Sequence, residues 1–184
     1  MKQVKLNSST IGGKAGFILI AGPCVLENEA EAMDIAFFLK NLTDRLEIPF
    51  IFKASYDKAN RTSVAAYRGP GARAGLKILK NIREKIGVPV LSDVHRFEEI
   101  DEAAGVLDVM QVPAFLCRQT DFVVEVAKKA KIVNVKKGQF LAPWDVANIL
   151  GKIQSAGNEN ILITERGASF GYNNLVFDVR ACRS

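Results

Sequence analysis

Six short apolar runs in this sequence each end in groups able to bind or to ionise. Phe17–Ala21 leads into Gly22-Pro23-Cys24, and Phe50–Phe52 into Lys53-Ala54-Ser55. Val88–Leu91 leads into Ser92-Asp93-Val94-His95, and Val106–Val112 carries Gln111. Ile132–Val135 carries Asn134 and runs into Lys136-Lys137, while Ile161–Thr164 runs into Glu165-Arg166. If the runs are parallel strands, these ends share one face, which is where α/β folds build their sites. Lys53, Lys136 and Arg166 then converge as cations, with Asp93, Gln111 and Glu165 among them. Like charges gathered this way repel unless anions lie between them, so phosphate or carboxylate is the ligand they suit. For any one of these residues a solvated loop position is the plainer explanation. Recurrence at every run end is what argues for a site.

The segment Lys53–Ser63 adds two lysines, an arginine and several hydroxyl and amide donors in one turn-rich stretch. That is the donor set a phosphate monoester needs. A polar surface loop is the commoner fate of such a run, but long loops in compact domains usually carry function. The other motifs are weaker. Tyr67–Gly75 has the wrong glycine spacing for a dinucleotide fingerprint, and Gly12-Gly13-Lys14-Ala15-Gly16 reads as a hairpin turn rather than a phosphate loop. His95 is the sole histidine, which rules out a histidine-rich metal cage within the chain. Its place two residues after Asp93 at a strand end makes it a functional candidate. Cys24 alone reads as a small buried hydrophobe, and Trp144 and the phenylalanines read as core.

The elements that must hold these residues alternate. The apolar runs are rich in β-branched and aromatic residues, as buried parallel strands are. Asn28 and Glu31 form a capping-box start for a helix with Ile35, Phe38, Leu39, Leu42 and Leu46 on one face. A second helix begins at Pro143 and stops at Gly157, burying Val146, Ile149, Leu150 and Ile153. Leu76–Ile86, Glu98–Ala104 and Phe122–Ala130 fill the other gaps. Val4–Leu6, then Gly12-Gly13, then Phe17 reads as a hairpin before the first parallel strand. Strand–helix alternation of this kind means a parallel α/β sheet. Six strands in 184 residues favour an open doubly wound sheet over a closed barrel on length alone.

Composition sets outer limits. The chain is 48% hydrophobic and 24% charged, which excludes a disordered or collagen-like protein. Its length suits one domain, residues 1–184. Three cysteines without a CxxC indicate a reduced, cytoplasmic chain rather than a disulfide scaffold. No apolar run is long enough to cross a bilayer, and the polar Met1–Ser9 does not read as a signal peptide. A net charge of +5 suits an anionic metabolite. A nucleic-acid binder would show a basic stripe interleaved with aromatics.

Taken together, the motifs resemble a known family. Gly22-Pro23-Cys24, Phe52-Lys53-Ala54-Ser55 with Lys58-Ala59-Asn60-Arg61, and Tyr67-Arg68-Gly69-Pro70-Gly71 carry the first part of the likeness. Ser92-Asp93-Val94-His95, Gln111–Leu116 with Arg118–Asp121, Asn134–Lys137, and Glu165–Ala168 with Phe170-Gly171-Tyr172 carry the rest. From about Phe17 to about Arg180, in order, they resemble the 3-deoxy-D-manno-octulosonate 8-phosphate synthases. The related 3-deoxy-arabino-heptulosonate 7-phosphate synthases usually have Lys-Pro-Arg-Thr where this chain has Lys58-Ala59-Asn60-Arg61.

The resemblance implies a (β/α)₈ barrel that condenses phosphoenolpyruvate with D-arabinose 5-phosphate and releases phosphate, in lipopolysaccharide precursor synthesis. It implies that Lys53, Lys58, Gln111, Lys136 and Arg166 hold phosphoenolpyruvate and that Asn60, Arg61 and Ser63 hold the sugar phosphate. Ser55 and Ala114 would also contact substrate, Arg118 would come from a neighbouring subunit of a homotetramer, and Asp93, His95 and Lys58 would act at the reacting carbons. Cysteine after Gly-Pro marks the metal-dependent members, so Cys24 implies a divalent metal such as Zn, Fe or Mn. The family's other metal ligands, a His, a Glu and an Asp, and its last two strands lie beyond the Tyr172 region. The expectation is therefore an incomplete barrel of about six β/α units with an N-terminal hairpin, impaired when alone. A non-catalytic phosphometabolite-binding α/β module and the heptulosonate synthase activity are the alternatives.

Overall fold

A computed structural model describes residues 3–7, 9–13 and 16–183. Parts of the Met1–Ser9 segment and of the Gly12–Gly16 turn thus lie outside the described residues, as does Ser184. The chain opens with β1 (Val4–Leu6) and β2 (Ser9–Ile11), paired antiparallel with Leu6 opposite Ser9. The reversal therefore falls between Leu6 and Ser9 rather than at Gly12-Gly13. Asn7 has φ 52°, a left-handed conformation that asparagine tolerates better than most residues.

Strict alternation follows: β3 (Leu19–Ala21), α1 (Glu29–Arg45), β4 (Phe50–Lys53), α2 (Ala72–Ile86), β5 (Val90–Asp93), α3 (Phe97–Val106) and β6 (Val109–Val112). Then come α4 (Thr120–Lys129), β7 (Ile132–Lys136), α5 (Val146–Ser155, preceded by a 3₁₀ turn at Pro143–Asp145) and β8 (Ile161–Thr164). Strands β3 to β8 form one parallel sheet in sequence order, and each helix packs against the next. A doubly wound sheet reverses its strand order at a switch point and carries helices on both faces. Here nothing reverses and the helices follow one another along one side, so the sheet curls as an incomplete (β/α) barrel. Chain length favours an open sheet only because it counts strands without their order.

The period of two along each strand sorts side chains into two cores. Phe50, Phe52, Val90, Met110, Val112, Val133 and Val135 face the helices and form the larger core. Ile51, Leu91, Val109 and Ile132 face the barrel interior, where Val4 and Leu6 of the hairpin cover them. The hairpin thus plugs the end of the interior at which the strands begin.

The helices obey local rules with one surprise. Glu31 N–H donates to Asn28 Oδ1 at 2.8 Å, and Asn28 Nδ2 donates to Glu31 Oε2 at 3.2 Å, so the expected cap forms. The buried face of α1 is Ala32, Ala36 and Thr43, with Ile35 and Leu39 partly buried. Phe38 and Leu46 are 64% and 58% exposed. On α5 only Ile149 and Ile153 are fully buried. Trp144 is 74% exposed, and of the phenylalanines Phe50, Phe52 and Phe122 are the buried ones, so aromatic character overstated the core.

Candidate active site

Above the inner apolar layer, the same alternation places a polar one. Two residues beyond Ile51, Leu91, Val109, Ile132 and Leu162 stand Lys53, Asp93, Gln111, Asn134 and Thr164, with Lys136 two further on. Strand register puts Asp93 opposite Gln111, Gln111 opposite Asn134, and Lys136 opposite Thr164. One hydrogen-bonded relay crosses the sheet. Thr164 Oγ1 donates to Asn134 Oδ1 (3.0 Å), Asn134 Nδ2 to Gln111 Oε1 (2.7 Å), and Gln111 Nε2 to Asp93 Oδ1 (3.0 Å). Lys136 Nζ donates to the same Asp93 oxygen at 2.8 Å, and Ser55 Oγ to Asp93 Oδ2 at 3.1 Å. Ser55 Oγ in turn accepts from Lys58 Nζ at 2.9 Å and Lys53 Nζ at 3.4 Å.

Lys136 thus meets the buried carboxylate directly and Lys53 and Lys58 reach it through Ser55 Oγ, and the crowding of charge shows in the ionisation of Lys53 and Asp93. Burial lowers the Lys53 pKa to about 8; Asp93 opposes the fall, while Lys58 and Lys136 deepen it. Burial alone would raise the Asp93 carboxyl, but Lys136, Lys53 and Gln111 outweigh it and hold the group below its usual range. Such a cluster is preorganised for an anion.

His95 is anchored beside it. Its Nε2 lies 3.0 Å from the Asp57 carbonyl oxygen, a contact that makes Nε2 the donor and leaves Nδ1 as the acceptor in the neutral ring. Its backbone N–H donates to Glu99 Oε2 (3.0 Å), which also accepts from the Tyr56 hydroxyl (2.9 Å). Arg68 holds the Asp57 carboxylate with two bonds of 2.9 and 2.6 Å, so that acid is already paired.

These elements enclose a cavity of about 330 Å³ lined by Lys58, Asn60, Asp93, His95, Ala114, Lys136 and Arg166, together with Gln139 and the Pro113–Leu116 turn. Lys53, Ser55 and Gln111 belong to the network described above. Arg61, Ser63 and Arg118 are not brought to the cavity. Arg61 Nε donates to the Tyr67 carbonyl at 3.2 Å, and exposed Ser63 accepts from Ala65 N–H at 3.2 Å. Exposed Arg118 lies in an adjoining groove with Gln119 and Asp121. Glu165 departs from the expected convergence, because it turns toward buried Lys137 instead. The sequence reading missed Thr164 and Gln139. Thr164 was legible from the period of two, whereas Gln139 sits in a loop where no period applies.

Cys24 is exposed rather than buried. Its slight burial raises the thiol pKa, but a hydrogen bond to Lys58 and the charges of Lys58, Lys53 and Arg61 outweigh that and lower it overall. Among the described residues no group of three His, Cys, Asp or Glu could hold a metal ion. The described residues therefore offer a metal ion the single thiolate of Cys24 rather than a complete cage.

A parallel sheet whose strands follow in sequence order, with polar side chains gathered at the strand ends, places the fold in the (β/α)-barrel class. Residues 2–184 match the model of the DAHP synthetase I family, and the chain belongs to that family. It is 59% identical over 181 residues to the 2-dehydro-3-deoxyphosphooctonate aldolase of Geotalea uraniireducens, covering 98% of this chain and 66% of that one. It is 62% identical over 178 residues to the protein of the same name from Desulfosudis oleivorans, covering 97% of this chain and 64% of that one. The Geobacter sulfurreducens protein of that name is 55% identical over 180 residues, again 98% and 66% of the two chains. The chain thus spans just under two thirds of the length of the curated relatives it matches.

Proposed function

We propose that this chain carries the substrate-gripping part of a 3-deoxy-D-manno-octulosonate 8-phosphate synthase, the activity for which its relatives are named. In that reaction phosphoenolpyruvate, D-arabinose 5-phosphate and water give the eight-carbon 2-keto acid phosphate and inorganic phosphate. The observation that carries the reading is the lysine cluster at Asp93, with Lys58 and Lys136 lining the cavity and Lys53 and Lys58 joined to Asp93 through Ser55 Oγ. A phosphoenolpyruvate molecule presents a carboxylate and a phosphate on one small frame, and a cation-rich pocket of this size suits both. Arg166 and Asn60 on the cavity wall suit the phosphate groups.

The chemistry asks the site to orient two anions and to let charge move. C3 of the enol attacks the sugar aldehyde while water adds at C2, and phosphate then leaves. Lys136 and Lys58 neutralise the substrate's negative groups, so two anionic molecules can approach. Asp93, kept ionised by its lysines, offers negative charge near the positive character that develops at C2. In this reading His95, whose Nδ1 is the acceptor when Nε2 donates to the Asp57 carbonyl, takes the proton of the adding water. The heptulosonate synthase reading fits less well, because the relatives are named 2-dehydro-3-deoxyphosphooctonate aldolase and Lys58-Ala59-Asn60-Arg61 replaces the other enzyme's loop.

The wider reading is a cytoplasmic homotetramer in which Arg118 reaches a neighbour's site, and its support is that Arg118 is exposed outside its own cavity. Among the described residues no helix is long and apolar enough to cross a membrane. Cys24 would give one thiolate to a divalent metal, Zn, Fe or Mn, completed by ligands other than the described residues; such a metal would supply Lewis-acid chemistry.

Calorimetric titration with each phosphate ester tests the reading, alongside phosphate release with both substrates and added Mn²⁺ or Zn²⁺. Saturable phosphoenolpyruvate binding that weakens about tenfold or more in Lys136→Ala is expected. A chain that binds neither ester overturns the proposal.

A further inference from the structure

Lys136 and Lys137 are adjacent, yet the strand's alternation sends them to opposite faces. Lys136 enters the cavity, whereas Lys137 is 2% exposed and does not line it. The buried ammonium donates to three backbone carbonyls, Gly138 O and Leu141 O at 3.2 Å and Gly167 O at 2.9 Å. Glu165 Oε1 lies 3.3 Å from it. That carboxylate oxygen also accepts from the backbone N–H groups of Arg166 (2.8 Å) and Gly167 (2.6 Å). A second tie joins the same two loops, because Ser169 N–H donates to the Gln139 carbonyl at 3.0 Å.

A buried cation is costly unless every proton is matched, and two of its four partners here, Glu165 and Gly167, flank one residue, Arg166. The peptide on each side of Arg166 is held: its own N–H by Glu165, and the following N–H and carbonyl by Glu165 and Lys137. Arg166 itself has a long, flexible side chain, so without a fixed backbone its guanidinium would sample much more than the cavity wall. The effect of the Lys137–Glu165 pair is to fix the direction in which β8's exit loop delivers a cation.

We infer that Lys137 is a positioning residue, which together with Glu165 clamps the Arg166 backbone so that the guanidinium meets an anionic substrate at the cavity wall. This rests on the proposed function only for the identity of the anion.

A double-mutant cycle separates this role from general stability. Lys137→Met and Arg166→Ala are made singly and together, and phosphoenolpyruvate affinity is measured by calorimetry. Lys137→Met should weaken binding about tenfold in the parent chain and less than about twofold in the Arg166→Ala background. Equal losses in both backgrounds, or none in the parent, overturn the inference. Should Lys137→Met fail to fold, Glu165→Gln keeps the shape and one acceptor while removing the charge, and it should show the same background dependence at smaller amplitude. The ¹⁵N–¹H resonance of Arg166 Nε, assigned by its loss in Arg166→Ala, gives a readout independent of ligand. It should shift in Glu165→Gln, and an unmoved resonance overturns the clamp. If the parent chain binds no phosphoenolpyruvate, the proposed function falls while the resonance still decides whether the clamp exists.

Discussion

Lys53 holds its proton poorly because burial and two neighbouring lysines work against it, and its pKa of about 8 has consequences of definite sign. An anion stabilises the protonated form, so phosphoenolpyruvate affinity should fall as pH rises through about 8. Binding near that pH should take up a fraction of a proton, visible as a buffer-dependent enthalpy. The same shift bears on folding. The folded pKa lies below the unfolded value of about 10.4, so the group destabilises the fold below pH 8, and that penalty fades between pH 8 and about 10.4. Lys53→Met should accordingly raise stability at pH 7 by about 1–3 kcal/mol while weakening the anion site. A less stable variant, or an affinity flat from pH 7 to 9, contradicts the account. Asp93 has the opposite sign. Its folded pKa is depressed, so its contribution is present above about pH 4 and is lost as pH falls through the folded value. Asp93→Asn leaves the lysines without a counter-charge and should cost about 3–5 kcal/mol at pH 7 in denaturant unfolding. At this scale the sequence told which residues end the strands and hence that Lys53, Asp93, Gln111 and Lys136 share a face. It could not tell which loop side chains turn in. Arg61, Ser63 and Glu165 are as polar as Asn60 and Arg166, and only the loop's path separates them.

The helices show where pattern reading loses contact with space. On α1 the row Phe38, Leu42, Leu46 is more hydrophobic than the row Ala32, Ala36, Thr43, yet the second row is the buried one. Periodicity reports hydrophobicity, whereas a helix lying close on a sheet selects for small side chains. Gly75 in α2 makes the same point from the other side. A Cβ there would lie 2.2 Å from Tyr56 Cβ and 3.2 Å from its Cα. Tyr56 stands in the segment that carries Ser55 and Lys58, and its hydroxyl bonds the carboxylate that also holds His95's backbone. By helix propensity alone Gly75→Ala should stabilise α2 by about 1 kcal/mol. The clash with buried main chain and Cβ is the larger effect, so a net loss of about 1–3 kcal/mol is expected, with weaker phosphate-ester binding as the loop shifts. Thermal unfolding and calorimetry on the single variant check both parts, and a stabilised Gly75→Ala with unchanged affinity refutes the close-packing argument. The strands, by contrast, were legible as elements, since short apolar runs rich in β-branched and aromatic residues leave little else to form, although β3, β5 and β6 begin two or three residues later than their runs.

The order of strands belongs to the whole molecule, and no local pattern contains it. Six apolar runs fit an open sheet or a curled one equally well; what decides is that each strand pairs with the next in sequence and each helix stacks on the one before. That arrangement gathers the strand ends into one mouth, and it also leaves a flank. Among the described residues β3 pairs only with β4, and α1 packs against α2 on one side with no helix on the other. Phe38, Leu42 and Leu46 are exposed at successive turns of the same segment, and Phe17 and Ile20 are exposed at and just before β3. An apolar row of this kind in water drives association, because burying it against a like surface removes area from solvent at about 25 cal/mol per Å². The chain should therefore self-associate in a concentration-dependent way in sedimentation velocity. Phe38→Lys with Leu46→Lys places two charges on the row, and since both side chains are already exposed the fold should lose no more than about 0.5 kcal/mol. The paired variant should sediment as a smaller species than the parent at equal concentration, while phosphoenolpyruvate affinity stays the same because the mouth lies at the strand ends. Identical sedimentation of parent and variant would show that the α1 flank is not the surface through which copies meet.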